Sequence, residues 1–116
     1  MKSKFATTPR FDRSLRQLKK RYPKIGKDLT FVFEDLENNP EVGTVIPKDY
    51  SIRKVRVRSS DMQRGKSGGF RLLYRLADRS EDEDEIEITI NLLFIYAKVD
   101  QKDVSQAFLQ VLDEDD

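Results

Sequence analysis

The sequence contains no cysteine and no histidine. Without cysteine there is no disulfide framework and no thiolate metal site, which suits a reducing compartment. Without histidine the usual general base, the usual proton shuttle and the commonest metal ligand are all missing. Any chemistry must therefore come from Lys, Arg, Tyr, Asp or Glu, and no metal or cofactor is expected. Long apolar runs are also absent. The richest stretch, around Ile86–Val99, is broken by polar residues and is too short to span a bilayer. Residues 1–10 lack the apolar core of a secretion signal. These absences together lead us to expect a soluble cytoplasmic protein.

Charge is what the chain has in excess. Charged residues make up 37% of 116 residues, against roughly 25% in an average domain. The apolar share of 37% suffices for one core, and the length fits one domain over residues 1–116. The net charge of +1 hides an asymmetry: residues 1–30 hold ten cations and two anions, whereas 78–87 hold seven anions and one cation. A basic front and an acidic loop could serve two partners, or the acidic run could only aid solubility.

The densest basic stretch is 50–75, YSIRKVRVRSSDMQRGKSGGFRLLYR. It carries eight cations (Arg53, Lys54, Arg56, Arg58, Arg64, Lys66, Arg71, Arg75) against Asp61 alone. Its pattern predicts two strands joined by a glycine-containing loop. Cations held on strands suit a polyanion, so this hairpin is expected to face nucleic acid.

Around it the periodicity predicts β-α-α-β-β-β-α. Lys4–Thr8 reads as an edge strand. Thr8-Pro9 reads as the cap and first position of a helix, with Phe11, Leu15, Leu18 and Tyr22 on one stripe and Arg13, Arg16, Lys19 and Lys20 opposite. Pro23 ends that helix. A second helix spans about Lys24 to Asn38, followed by a loop over Glu41–Lys48. Strands follow at Tyr50–Arg58, Phe70–Leu76 and Ile86–Ala97. In the last, Ile86, Ile88, Ile90, Leu92, Phe94 and Tyr96 share a face, while Leu93 and Ile95 indicate cover on the other. Asp100 reads as the cap of a final helix carrying Val104, Phe108, Val111 and Leu112. The expected fold is α+β, with a twisted, mostly antiparallel four-stranded sheet, a helix hairpin on one face and a short C-terminal helix.

Gly65-Lys66-Ser67 ends like a phosphate-binding loop. The glycine needed five residues earlier is Ser60, and a strand follows instead of a helix, so that reading is rejected. Gly68-Gly69 reads as a turn needing positive φ. Arg71 lies opposite the Phe70, Leu72, Tyr74 face. Its guanidinium must meet an anion or a wet cleft, either a phosphate or a structural carboxylate such as Glu87. Lys98, at the end of the last strand, reads either as a base or as an ordinary exposed lysine.

Arg64–Tyr74, RGKSGGFRLLY, with Phe94–Ser105, FIYAKVDQKDVS, resembles the RelE/ParE toxin superfamily, nearest to its RelE-like and HigB-like branches. The resemblance covers most of the chain, because the helix pair fits as well. It implies a ribosome-dependent mRNA endoribonuclease of a toxin–antitoxin module. Such an enzyme cuts in the ribosomal A site without metal, by attack of the ribose 2′-OH, and is neutralised by a cognate antitoxin protein. By position, Arg71 would stabilise the phosphorane-like charge, Lys54 and Arg56 would act as base or phosphate contacts, and Lys98 would match the basic position closing the last strand. Arg64 and Lys66 would hold message or ribosomal RNA. Arg53, Arg58, Lys19 and Lys20 complete the set expected to face RNA. The chain departs from the pattern at Val99, where some members have a second cation, at Ser105, where some have tyrosine, and in its acidic 78–87 segment. The competing expectations are a ParE-like inhibitor of DNA gyrase, against which the dense basic hairpin counts, and an RNA-binding module without chemistry.

Overall fold

The computed structural model describes residues 2–47, 50–62, 68–82 and 85–116. Strand β1 (Lys2–Thr7) leads into helices α1 (Pro9–Arg21) and α2 (Ile25–Asn38). Strands β2 (Thr44–Val45), β3 (Arg53–Val57), β4 (Phe70–Asp82) and β5 (Glu85–Ala97) follow, then helix α3 (Gln106–Asp115). The class is α+β, as the periodicity predicts. The sheet differs from expectation: it has five strands, ordered β1-β5-β4-β3-β2, and it is mixed. β1 runs parallel to β5, and the other neighbours are antiparallel. The extra strand, β2, lies inside the segment read as a loop. Two residues are too few to show an alternation. Among the described residues no helix is long and apolar enough to cross a membrane.

Local chemistry explains how α1 is seated. Thr8 is extended, its hydroxyl accepts from the Phe11 N–H at 3.2 Å, and Pro9 opens the helix. The same hydroxyl approaches the Leu92 and Leu93 carbonyls at 3.3 Å, so the cap is also fixed to β5. β1 ends at Thr7 while β5 runs on. There Ser14 of α1 takes over from β1, accepting from the Ile95 N–H at 3.3 Å. An edge donor that would otherwise be buried unpaired is thus satisfied.

The sheet is covered on both faces. Phe11 and Leu18 of α1 and Ile25, Leu29, Val32 and Leu36 of α2 pack on Val57, Phe70, Leu72, Tyr74, Ile90 and Leu92. On the other face, Leu109 and Leu112 of α3 close over Ile52, Leu73, Leu93 and Tyr96. The cover expected from Leu93 and Ile95 is therefore present, but with a change of side. Leu73 pairs with Phe94 and Tyr74 with Leu92, so Leu93 is an extra residue in β5. Before the bulge, Ile90 and Leu92 face the helix pair. Beyond it, Ile95 and Ala97 take that side and Tyr96 turns to the α3 side. A strict alternation places Phe94 and Tyr96 with Ile90, and the inserted residue reverses that parity.

Two further boundaries differ. The cap of α3 is Ser105, whose hydroxyl accepts from the Phe108 N–H at 3.1 Å. Asp100 instead sits in a turn, its N–H donating to the Ala97 carbonyl at 3.0 Å and its carboxylate pairing with Arg21 at 2.7 Å. The acidic segment read as a loop is mostly strand: β4 runs to Asp82 and β5 restarts at Glu85. From Arg71 to Asp82 that is roughly 35 Å of extended chain. The acidic end of the hairpin is therefore carried away from the basic end.

Candidate nucleic-acid interface

The basic strand β3 alternates. Val55 and Val57 pack toward the helix pair, so Lys54 and Arg56 are turned to the opposite, α3-side face. In the register, Arg56 lies opposite Arg71, Lys54 opposite Leu73, and Arg71 opposite Tyr96. Arg56, Arg71 and Tyr96 thus form a row across three adjacent strands, about 10 Å from end to end at the usual strand spacing. Lys54 stands two residues along from Arg56. α3 covers the neighbouring Leu73 and Leu93, and Arg71 keeps part of its side chain in solvent.

Two arginines on this face have different fates. Arg75 is neutralised: Nη1 lies 2.5 Å from Asp113 Oδ1, Nη2 lies 2.7 Å from Asp116 Oδ2, and Nη1 also donates to the Tyr50 carbonyl at 3.0 Å. Burial opposes its charge, but the bonds to Asp113 and Asp116 outweigh that and raise its pKa. Arg71 donates from Nη1 only to carbonyls, of Gly68 at 3.2 Å and Phe70 at 3.1 Å. Among the described residues no carboxylate lies within ion-pair distance of it. Glu87, the carboxylate suggested as its structural partner, pairs instead with Lys4 at 3.3 Å, on the β1 side of β5. Burial, and then the nearby Arg56 charge, push the Arg71 pKa below its ordinary value. Like charges directly across a strand pair repel, so an anion placed between them would relieve that cost.

The other predicted residues separate. Lys98 lies where the β4–β5 ladder ends, its N–H donating to the Gly69 carbonyl at 3.0 Å and its ammonium bonded to the Lys102 carbonyl. That places it at the rim beside Arg71. Arg53 has the opposite parity from Lys54, and its guanidinium donates to the Glu41 and Gly43 carbonyls at 3.0 and 2.9 Å, so it holds a loop on the other face. Arg58 is exposed and opens onto a groove of about 340 Å³ between α2 and the start of the basic loop, shared with Asp28 and Asp35; Arg56 borders it too, because β2 pairs only with Arg53 and Lys54 and leaves β3 an open edge there. Lys19 and Lys20 are exposed on the last turn of α1, on the helix-pair side. Arg64 and Lys66 lie outside the described residues.

Two anchors hold the start of the basic loop, at Ser60 and Asp61. Buried Asp28 accepts from the Ser60 N–H at 2.8 Å and from its hydroxyl, and Asp61 accepts from the Lys24 N–H at 2.9 Å. At the far end Gly69 has φ +80°, and a Cβ there would stand 2.4 Å from the Val57 carbonyl oxygen. Only glycine meets both demands, as the turn reading anticipates.

Sequence reasoning missed Asp103, and it set Tyr96 on the face of Ile90 and Leu92 rather than on that of Arg71. Tyr96 is 3% exposed, and its hydroxyl has no hydrogen-bond partner among the described residues. Asp103 Oδ1 lies 3.7 Å from Lys54 Nζ, a solvent-exposed pair of the kind that contributes little to stability. Burial and then the Asp103 charge raise the Tyr96 pKa, with Arg71 partly opposing. Only the bulge brings Tyr96 here, and no periodicity reveals a bulge. What the arrangement can do is hold an anion of phosphodiester size against several fixed donors. The sequence matches no protein-family model and no curated protein.

Proposed function

We propose that this chain is a ribosome-dependent mRNA endoribonuclease with a RelE-like fold, the toxin of a toxin–antitoxin module. The single observation that carries the reading is Arg71: strand-mounted, flanked by Arg56, and given no carboxylate among the described residues. A scissile phosphate seated there would gain a bidentate donor in a partly desolvated place, where such bonds are strongest. In the reaction the ribose 2′-oxygen attacks phosphorus, the P–O2′ bond forms and the P–O5′ bond breaks. The 2′ proton leaves to a base and a proton is returned to the 5′ oxygen. Lys54 and Lys98 are the nearest candidates for proton transfer, and Arg71 and Arg56 offset the charge that builds on the non-bridging oxygens. The separation of the acidic hairpin end from this face supports the same reading, since message would otherwise be repelled. An antitoxin would act by laying an acidic or amphipathic segment over these cations.

The test is Arg71→Ala, assayed by growth arrest on induction and by message cleavage on translating ribosomes. Both should be lost while the variant stays folded. Undiminished cleavage would remove Arg71 from the mechanism. Binding to single-stranded RNA should weaken with salt at a slope of about −3 if Lys54, Arg56, Arg71 and Lys98 each meet a phosphate, and Arg71→Ala should reduce that slope by about 0.7. RNA binding without cleavage by the wild type would make the chain a binding module. Inhibition of gyrase supercoiling with translation untouched would place it with the ParE-like inhibitors.

A further inference from the structure

The molecule has two fully buried tyrosines on β4 and β5, and they are treated oppositely. Tyr74 points to the helix-pair side, where its hydroxyl accepts from the Gly43 N–H and donates to the Pro40 carbonyl, each at 2.8 Å. Tyr96 points to the α3 side, and its hydroxyl, though also buried, bonds to nothing among the described residues. A phenol kept from water without a partner destabilises the fold, so its presence calls for a reason outside the fold. Its surroundings supply one. Arg71 stands directly across the strand pair, with Arg56 beyond it, and a phenol that stays protonated is a donor throughout the physiological range.

We propose that the Tyr96 hydroxyl is a phosphate-oxygen ligand of this face, donating a hydrogen bond to the same phosphodiester that Arg71 holds. This inference rests on the reading of the face as RNA-binding and adds a neutral donor to its cations. Asp103 completes the picture. Its charge bears on Tyr96, and it pairs with Lys54, so a carboxylate occupies the neighbourhood into which a phosphate would come. That carboxylate is on an exposed connection ahead of α3 and holds Lys54 by one long contact, so an incoming RNA strand, with one negative charge on each phosphodiester, can displace it. Displacement frees Lys54 and opens the way to Tyr96 in one movement.

The experiment compares Tyr96→Phe, Tyr74→Phe and Arg71→Ala in the full chain. The probe is a short fluorescent single-stranded RNA with 2′-O-methyl riboses, which cannot be cleaved, read by anisotropy at low salt. Thermal unfolding of each variant is recorded alongside. Tyr96→Phe should bind the probe several-fold more weakly than wild type while melting at the same temperature or higher, because it discards an unpaired buried hydroxyl. Tyr74→Phe should melt lower and, where folded, bind as wild type. If Tyr96→Phe binds the probe as tightly as wild type while Arg71→Ala does not, the Tyr96 inference is wrong and the reading of the face stands. If the wild type itself does not retain the probe, the reading of the face fails and takes the inference with it.

Discussion

Replacing Tyr74 with Phe removes one oxygen from the largest fully buried side chain among the described residues. The ring is 0% exposed, and the oxygen joins β4 to the loop before β2 by two bonds of 2.8 Å, to the Gly43 N–H and the Pro40 carbonyl. Gly43 and Pro40 are themselves buried, so water cannot easily replace the lost oxygen. Two ordinary hydrogen bonds together with two stranded backbone groups come to about 3 kcal/mol. In a chain of this size that is a fall in Tm on the order of 10 °C. The Gly43 carbonyl also receives the Arg53 guanidinium, so this loop keeps a second tie to β3 and the loss should stay one of stability. Urea denaturation with matched m-values, and thermal melting, are the assays. A loss below about 0.5 kcal/mol, the range of an ordinary surface substitution, would refute the assignment of Tyr74 as the tie. Gly43→Ala tests the same contact from the other side. A Cβ at Gly43 would stand 2.6 Å from the Tyr74 oxygen and 2.8 Å from a ring carbon. Tyr74→Phe therefore cannot rescue Gly43→Ala, and the double variant should be no more stable than either single one.

Two more expectations concern charge. Asp113→Asn with Asp116→Asn leaves the Arg75 guanidinium, 16% exposed, with only carbonyls to bond. The pair should cost about 1–3 kcal/mol in urea, and Arg75→Met in that background should recover part of it. No recovery would mean that the aspartates act on α3 by themselves. For pH, burial raises the pKa of both Tyr74 and Tyr96. Each phenol therefore ionises less readily in the folded chain than in the unfolded one. Their contribution is complete below the ordinary tyrosine value near ~10 and is lost as pH rises through the higher folded values. The urea midpoint should fall above about pH 10, and Tyr96→Phe should make that fall shallower; an unchanged fall would show that Tyr96 does not titrate with unfolding.

The local signals in the sequence were sufficient for the parts that local physics controls. Thr8-Pro9 starts α1, Pro23 follows its end, and the stripe through Ile25, Leu29, Val32 and Leu36 forms the buried face of α2. The alternation Phe70, Leu72, Tyr74 against Arg71, Leu73, Arg75 assigns the two sides of β4, because strand geometry leaves no other choice over so short a run. The concentration of cations on β3 and β4 was likewise visible in the residues alone. Which cations meet was not visible. That depends on pairing register, which sets Arg56 opposite Arg71, and on contacts from distant segments. Asp113 and Asp116 take Arg75 out of play; Glu41 and Gly43 take Arg53. β1 joins β5 in parallel across more than eighty residues of chain, a partnership no local pattern encodes. The bulge at Leu93 is the clearest case: one residue inserted against its partner strand turns Tyr96 from the helix-pair side to the face of Arg71. Residue type and spacing determined the elements and their buried faces, because those follow from backbone geometry within a few residues. Only the folded sheet decided the membership of the site, because that is settled by register and by neighbours far apart in the chain.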